Sequence, residues 1–158
     1  MGGMSRIYLD TNIFISAFER KDDFGFRVGE FLTIRRDLQR QLLVTSELTI
    51  SELLVIPYRN GDADLGGAYE KMMVSNEWLQ VAPVTRPILK RAAWYRSLMS
   101  GLKIPDAIHL ATAVDAGCTH FLTDDLGIAK VKLPSHSTLT ILRPDEATLT
   151  SLLESLAE

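Results

Sequence analysis

Short apolar segments alternate with helix-length amphipathic segments along almost the whole chain, and this alternation limits the fold more than any other feature. Strands are predicted over residues 6–9, 42–45, 77–81, 119–122 and 139–142, where apolar and β-branched residues cluster. Helices are predicted over 13–18, 24–41, 46–58, 63–75, 86–99, 105–116 and 144–156. Phe24, Val28, Phe31, Leu32 and Leu38 follow a helical period, and Pro105 and Gly117 stand where a helix starts and stops. Parallel strands need crossover connections, which are nearly always right-handed. The pattern therefore predicts an α/β fold, a central parallel sheet with helices on both faces, as a single domain over residues 1–158. Residues 1–4 are expected to lie outside that fold, with Met4 as an alternative start.

Four acidic residues, Asp10, Glu52, Asp106 and Asp124, stand far apart, each where a predicted strand or helix begins or ends. The carboxyl ends of parallel strands share one edge, and ligands bind in the crevice outside it. Distant carboxylates can converge there. A cluster of like charges repels itself unless a hard cation sits among them, and Mg2+ or Mn2+ prefers such oxygen ligands. Each acid also has a purely structural explanation. Asp10 can cap a helix, Thr49 and Glu52 form a capping box, Asp106 suits a helix dipole, and Asp124 with Asp125 can begin a turn. Their joint placement favours a metal site with one ion, or two about 4 Å apart, suited to phosphodiester hydrolysis.

Composition narrows the class further. A chain of 158 residues buries close to ~70% of its unfolded surface and needs no disulfides. Cys118 is its single cysteine, which excludes a disulfide framework and a cysteine-rich zinc site and fits a reducing cytoplasm. The opening residues lack a secretion signal, and no apolar run approaches the roughly 20 residues of a membrane span. No membrane partner is expected. A formal charge of −3 opposes capture of nucleic acid by bulk electrostatics. Two bound dications would reverse that sign, and Arg35, Arg36 and Arg40 offer local phosphate contacts.

The segments Leu9-Asp10-Thr11-Asn12-Ile13-Phe14, residues 45–53 around Glu52, Ile104-Pro105-Asp106-Ala107-Ile108-His109-Leu110-Ala111 and Phe121-Leu122-Thr123-Asp124 resemble the motifs of PIN-domain nucleases in order and spacing. Within that family the chain is most similar to the VapC-type toxins of bacterial toxin-antitoxin pairs, over nearly its whole length. The resemblance implies a three-layer PIN-like fold and a Mg2+- or Mn2+-dependent endoribonuclease. It also implies an RNA substrate, a small antitoxin partner, a homodimer and a cytoplasmic location. Carried over by position, Asp10, Glu52, Asp106 and Asp124 become the catalytic, metal-binding acids. Asp125 can substitute for or assist Asp124, and Thr11, Asn12 and Thr123 support the site. Many relatives carry an aromatic residue shortly after the last acid, where this chain has Leu126-Gly127-Ile128.

Neighbouring residues have plainer readings. His109, one turn beyond Asp106, is expected to be a hydrogen-bonded packing residue rather than a general base. Lys103 and Arg96 are candidate phosphate contacts, although a solvated lysine is the more common outcome. Trp78 and Trp94 are expected in the core or a dimer contact, and His120 and His136 carry no signal. The rival to an enzyme is a non-catalytic metal- or partner-binding module, which the complete set of acids disfavours. A nucleophilic-aspartate phosphatase is disfavoured because Asn12 stands where a second aspartate is needed.

Overall fold

A computed structural model describes residues 5–37, 41–134 and 137–157. Five short strands, β1 (Ile7–Leu9), β2 (Leu43–Ser46), β3 (Leu79–Ala82), β4 (His120–Leu122) and β5 (Thr140–Leu142), form one sheet in the order β3-β2-β1-β4-β5. Every pairing is parallel, with Tyr8 opposite Val44 on one side and Phe121 on the other. The helices are α1 (Thr11–Glu19), α2 (Asp23–Asp37), α3 (Glu47–Leu53), α4 (Val55–Asn60), α5 (Ala63–Met72), α6 (Arg86–Leu98), α7 (Ile104–Asp115), α8 (Leu126–Ala129) and α9 (Glu146–Ala157).

Alternation along each strand divides the core in two. Ile7, Leu9, Leu43, Leu79, Val81 and Leu122 face one way and pack with Ile13, Phe14, Val28, Phe31, Tyr69 and Leu149. Tyr8, Val44 and Phe121 face the other way, against Ile88, Tyr95, Ala107, Leu110 and Ile128. Three layers result, as the sequence predicts. Because helices cover both faces, β1 at the centre is apolar on both sides instead of alternating with polar residues. All three β1 side chains are fully buried. Each contributes roughly 1.5–3 kcal/mol, so the strand leading into Asp10 is a firm support.

Several predicted boundaries shift. The helix predicted over 46–58 divides into α3 and α4 around Leu54. Pro57 has no amide hydrogen to give the Leu53 carbonyl, which interrupts the helical ladder there. The capping box at Thr49 does not form. Ser46 is the cap instead, its Oγ accepting from the Leu48 amide at 3.0 Å, while buried Thr49 bonds Thr45 through their hydroxyls at 2.8 Å. Glu52 is thereby released from a capping role. The strand predicted over 77–81 runs from Leu79 to Ala82, and α2 is described only to Asp37. Helix α8, which Asp125 caps, is an addition to the predicted elements. Gly117, at φ 72°, closes α7 as predicted, in a left-handed conformation that favours glycine. Arg40 and His136, and the side chain of Arg35, lie outside the described residues. Among those described, no helix is long and apolar enough to cross a membrane.

Candidate active site

Strand β1 lies between β2 and β4, and the connections from β1 and β3 lead to opposite sides of it. This is the topological switch point of the sheet, where the crevice at the strands' carboxyl ends opens. Asp10 follows β1 directly, and Thr123 and Asp124 follow β4. The Asp10 amide bonds the Leu122 carbonyl at 3.0 Å, which holds the two strand ends together.

Asp10 is only 5% exposed, and its carboxylate accepts from its own loop and from the loop after β4. Its Oδ1 accepts from the Thr11 amide at 2.9 Å as the cap of α1. Its Oδ2 accepts from Thr123 Oγ1 at 2.7 Å and Asn12 Nδ2 at 3.2 Å. Burial raises the Asp10 pKa. The charge of His109 and the bonds from Thr123 and Thr11 pull it down without cancelling that rise, and the Glu52 charge adds to it. Asn12 also accepts from the Asp124 amide at 2.9 Å through Oδ1, so one side chain ties the loops after β1 and β4 together.

Glu52 reaches the site from α3. Its Oε1 accepts from Thr11 Oγ1 at 2.7 Å and from His109 Nε2 at 2.5 Å. Burial favours its neutral form, but the bond and charge of His109 and the Thr11 bond outweigh burial, so its pKa lies below the usual carboxylate value. His109 is fully buried on α7, with Nδ1 2.5 Å from the Tyr8 hydroxyl. Burial, reinforced by the Asp10 charge, pushes the Tyr8 phenol well above its ordinary pKa, so it keeps its proton. An ionised Glu52 can only accept, so His109 carries a proton on Nε2 and donates it to Glu52, while the Tyr8 hydroxyl closes the other end of the ring at Nδ1. His109 is the hydrogen-bonded interior residue that the sequence predicts, but its bond partner is a site acid.

Asp106 stands in the first turn of α7. Its carboxyl pKa is raised by burial, then by the charges of Asp10 and Asp125, with Glu52 adding and His109 opposing. Asp10, Glu52 and Asp106 therefore share one electrostatic environment. Asp124 and Asp125 point to different tasks. Asp124 Oδ1 accepts from Arg143 Nη2 at 2.9 Å, and Asp125 Oδ1 accepts from the Gly127 and Ile128 amides at 2.7 and 3.2 Å. Asp125 also lines a cavity with Asp106, and Asp124 does not. Thr123 is fully buried and donates to Asp10 while accepting from the Asp125 amide and Asn12.

The donor set suits a hard divalent cation: carboxylate oxygens, with like charges crowding Asp10 and Asp106. Among the described residues, no three His, Cys, Asp or Glu side chains already form a group that could hold a metal ion. Magnesium commonly takes only one or two protein carboxylates and retains its waters, so such a closed group is not required. Sequence reasoning missed the Tyr8–His109–Glu52 connection and Arg143. The available signal for the first was that Tyr8 faces away from Ile7 and Leu9, toward the helix carrying His109.

No curated protein matches the chain. Among solved structures, a toxin-antitoxin complex from Klebsiella pneumoniae aligns with TM-score 0.62 at 20% identity, covering 90% of this chain and 99% of that one. A VapC toxin from Mycobacterium tuberculosis that cleaves the sarcin-ricin loop aligns with TM-score 0.61 at 16% identity, over 77% and 92%. A VapBC complex from Rickettsia felis bound to promoter DNA aligns with TM-score 0.62 at 13% identity, over 87% and 97%. These likenesses show a shared fold. The PIN domain model matches residues 7–133, and the chain belongs to the PIN-domain family.

Proposed function

We propose that this protein is a divalent-metal-dependent endoribonuclease, the toxin of a toxin-antitoxin pair, with Mg2+ or Mn2+ as cofactor. The observation that supports the reading is that Asp10 and Glu52 both approach Nε2 of His109, at 3.8 and 2.5 Å, on the same helix α7 whose first turn carries Asp106, at the sheet's switch point in a PIN-domain chain. Asp10, Glu52 and Asp106 would hold the cation, with Asp124 or Asp125 completing the set. A bound divalent ion supplies Lewis-acid stabilisation at phosphorus and lowers the pKa of water. Thr123 and Asn12 fix the rotamer of Asp10, and His109 and Thr11 fix that of Glu52. Such outer partners commonly matter about 10–100-fold for metal affinity or activity.

The toxin–antitoxin complexes that share its fold support a small protein antitoxin as partner. Exposed apolar side chains, Val55, Ile56 and Tyr58 among them, leave surface for a homodimer. The lone, buried Cys118 suits a reducing cytoplasm. A non-catalytic, partner-binding role draws on the pairing of Asp124 with Arg143, which occupies one of the candidate acids.

Purified protein and an Asp10→Asn variant, incubated with transfer and ribosomal RNA fragments and magnesium, manganese or chelator, distinguish these readings. Discrete metal-dependent cuts made only by the unaltered protein are expected. Equal traces from both proteins would favour the partner-binding role.

A further inference from the structure

A cavity of about 570 Å³ opens between the loop joining α6 to α7 and the α8 segment, with Asp106 and Asp125 on its wall. Lys103, Lys130 and Lys132 line it as well, and all three are exposed. None of these lysines has an ion-pair partner among the described residues. The groove thus gathers three cations beside the candidate acids of a chain whose formal charge is −3. Lys103 is also the residue before the first turn of α7 and gives that helix no side-chain cap. The positive end of the α7 dipole therefore adds to the lysines' field. We propose that this groove holds the sugar-phosphate backbone of single-stranded RNA next to the bond being cut, with Lys103, Lys130 and Lys132 on successive phosphates. The proposal rests on the nuclease reading.

Three features define the occupant. The volume lies within the range of pockets that take one small ligand, which suits a single strand rather than a duplex. No aromatic side chain lines the groove among the described residues, so bases have no stacking platform there, and contacts to phosphate position a strand without reading its sequence. The lysine charges oppose those of Asp106 and Asp125, so RNA is drawn along the basic wall toward the acids rather than repelled by the chain's net charge. Lys103, chosen from sequence as a phosphate contact, is then one member of a set.

The test measures binding of labelled single-stranded and duplex RNA in chelator across a salt series, and cleavage of the single strand with magnesium. It compares the full chain, a Lys103→Gln/Lys130→Gln/Lys132→Gln variant, and a control with Lys21→Gln/Lys71→Gln/Lys90→Gln, which removes the same charge from exposed positions elsewhere. The groove variant is expected to bind about tenfold or more weaker at low salt, with its log–log salt slope smaller by about 2, near 0.7 per lost contact. Its KM should rise with kcat little changed, and the loss should be similar for RNAs of different sequence. The control should match the unaltered chain. Equal losses in groove and control variants, no loss in either, or equally tight binding of duplex RNA would each overturn the proposal. Metal-dependent cleavage that survives intact in the groove variant would sink this inference and leave the nuclease reading standing; an unaltered chain that neither binds nor cuts RNA would sink both.

Discussion

Nε2 of His109 lies 2.5 Å from Oε1 of Glu52, and its Nδ1 lies 2.5 Å from the hydroxyl of Tyr8. One fully buried imidazole therefore spans from the central strand to an acid carried by a different helix. Leucine at this position fills space but leaves both partners without their bond. His109→Leu is expected to cost about 1–3 kcal/mol, chiefly for the buried Tyr8 hydroxyl because Glu52 keeps its bond from Thr11, and to weaken divalent-ion binding and cleavage by roughly 10–100-fold. His109→Gln, which can still donate to Glu52, should recover part of the ion affinity. Urea denaturation and calorimetric titration with manganese separate the two effects. A lowered stability with unchanged ion affinity in both variants would reduce His109 to packing alone.

Asp106 carries the opposite strain. Burial first, then the charges of Asp10 and Asp125, raise its carboxyl above the ordinary 3.8. A raised folded pKa means that the folded chain holds this proton to higher pH than the unfolded chain. Stability from this group is thus greatest at low pH and falls as pH rises from the unfolded value through the folded one. Glu52, with its lowered pKa, contributes in the reverse direction as pH falls. Without metal, Asp106→Asn is expected to be more stable than the unaltered chain at about pH 7, by up to about 1 kcal/mol after solvent screening, and to lose that advantage near pH ~3.5, below the ordinary carboxylate value. Cleavage should be lost in the same variant. Urea midpoints in chelator at the two pH values measure it, and an advantage independent of pH would exclude repulsion as its source.

Much of this arrangement is legible from residue order because the parallel topology does the gathering. Once the runs around Ile7 and Leu9, Val44, and Phe121 and Leu122 are taken as neighbouring parallel strands, Asp10 and the Thr123–Asp124 pair must share an edge. Glu52 is harder, since the residues from Thr49 to Glu52 satisfy a capping pattern on their own. Only the three-dimensional choice of Ser46 as cap and the burial of Thr49 free it. The break at Leu54 depends on a single missing amide at Pro57, a local effect that apolar periodicity does not register. The roles of His109 and Arg143 escape a sequence reading because their meaning lies in side-chain direction across 57 and 19 residues of sequence separation.

Asn12 is the narrowest joint between the two loops. Its Nδ2 donates to Asp10 Oδ2 and Thr123 Oγ1, and its Oδ1 accepts from the Asp124 amide. Asn12→Ala should lower kcat by about 10–100-fold while the fold persists, because Asp10 keeps its bonds from Thr11 and Thr123. Asn12→Asp retains the acceptor but places a charge beside buried Asp10, and should be the worse of the two. Cleavage kinetics beside circular dichroism decide the order. If Asn12→Asp proved as active as the unaltered chain, the donor atoms would be unnecessary.

Arg143, directly after β5, places Nη2 2.9 Å from Asp124 Oδ1. Its guanidinium competes with any cation for that carboxylate and lowers the negative potential a cation would meet. Both side chains are partly exposed, at 49% and 27%, so the pair is worth at most about 1 kcal/mol, equivalent to roughly a fivefold change in affinity. If Asp124 belongs to the metal set, Arg143→Ala should tighten manganese binding within that limit, and Asp124→Asn should weaken it. If Asp125 serves instead, Asp125→Asn should weaken binding, while its side-chain oxygen can still accept from the Gly127 and Ile128 amides and keep α8 capped. Calorimetric titration of the three variants assigns the last acid. Unchanged affinity in both aspartate variants would confine the ion to Asp10, Glu52 and Asp106, and leave the Arg143–Asp124 pair as a fastening between the end of β5 and the loop after β4.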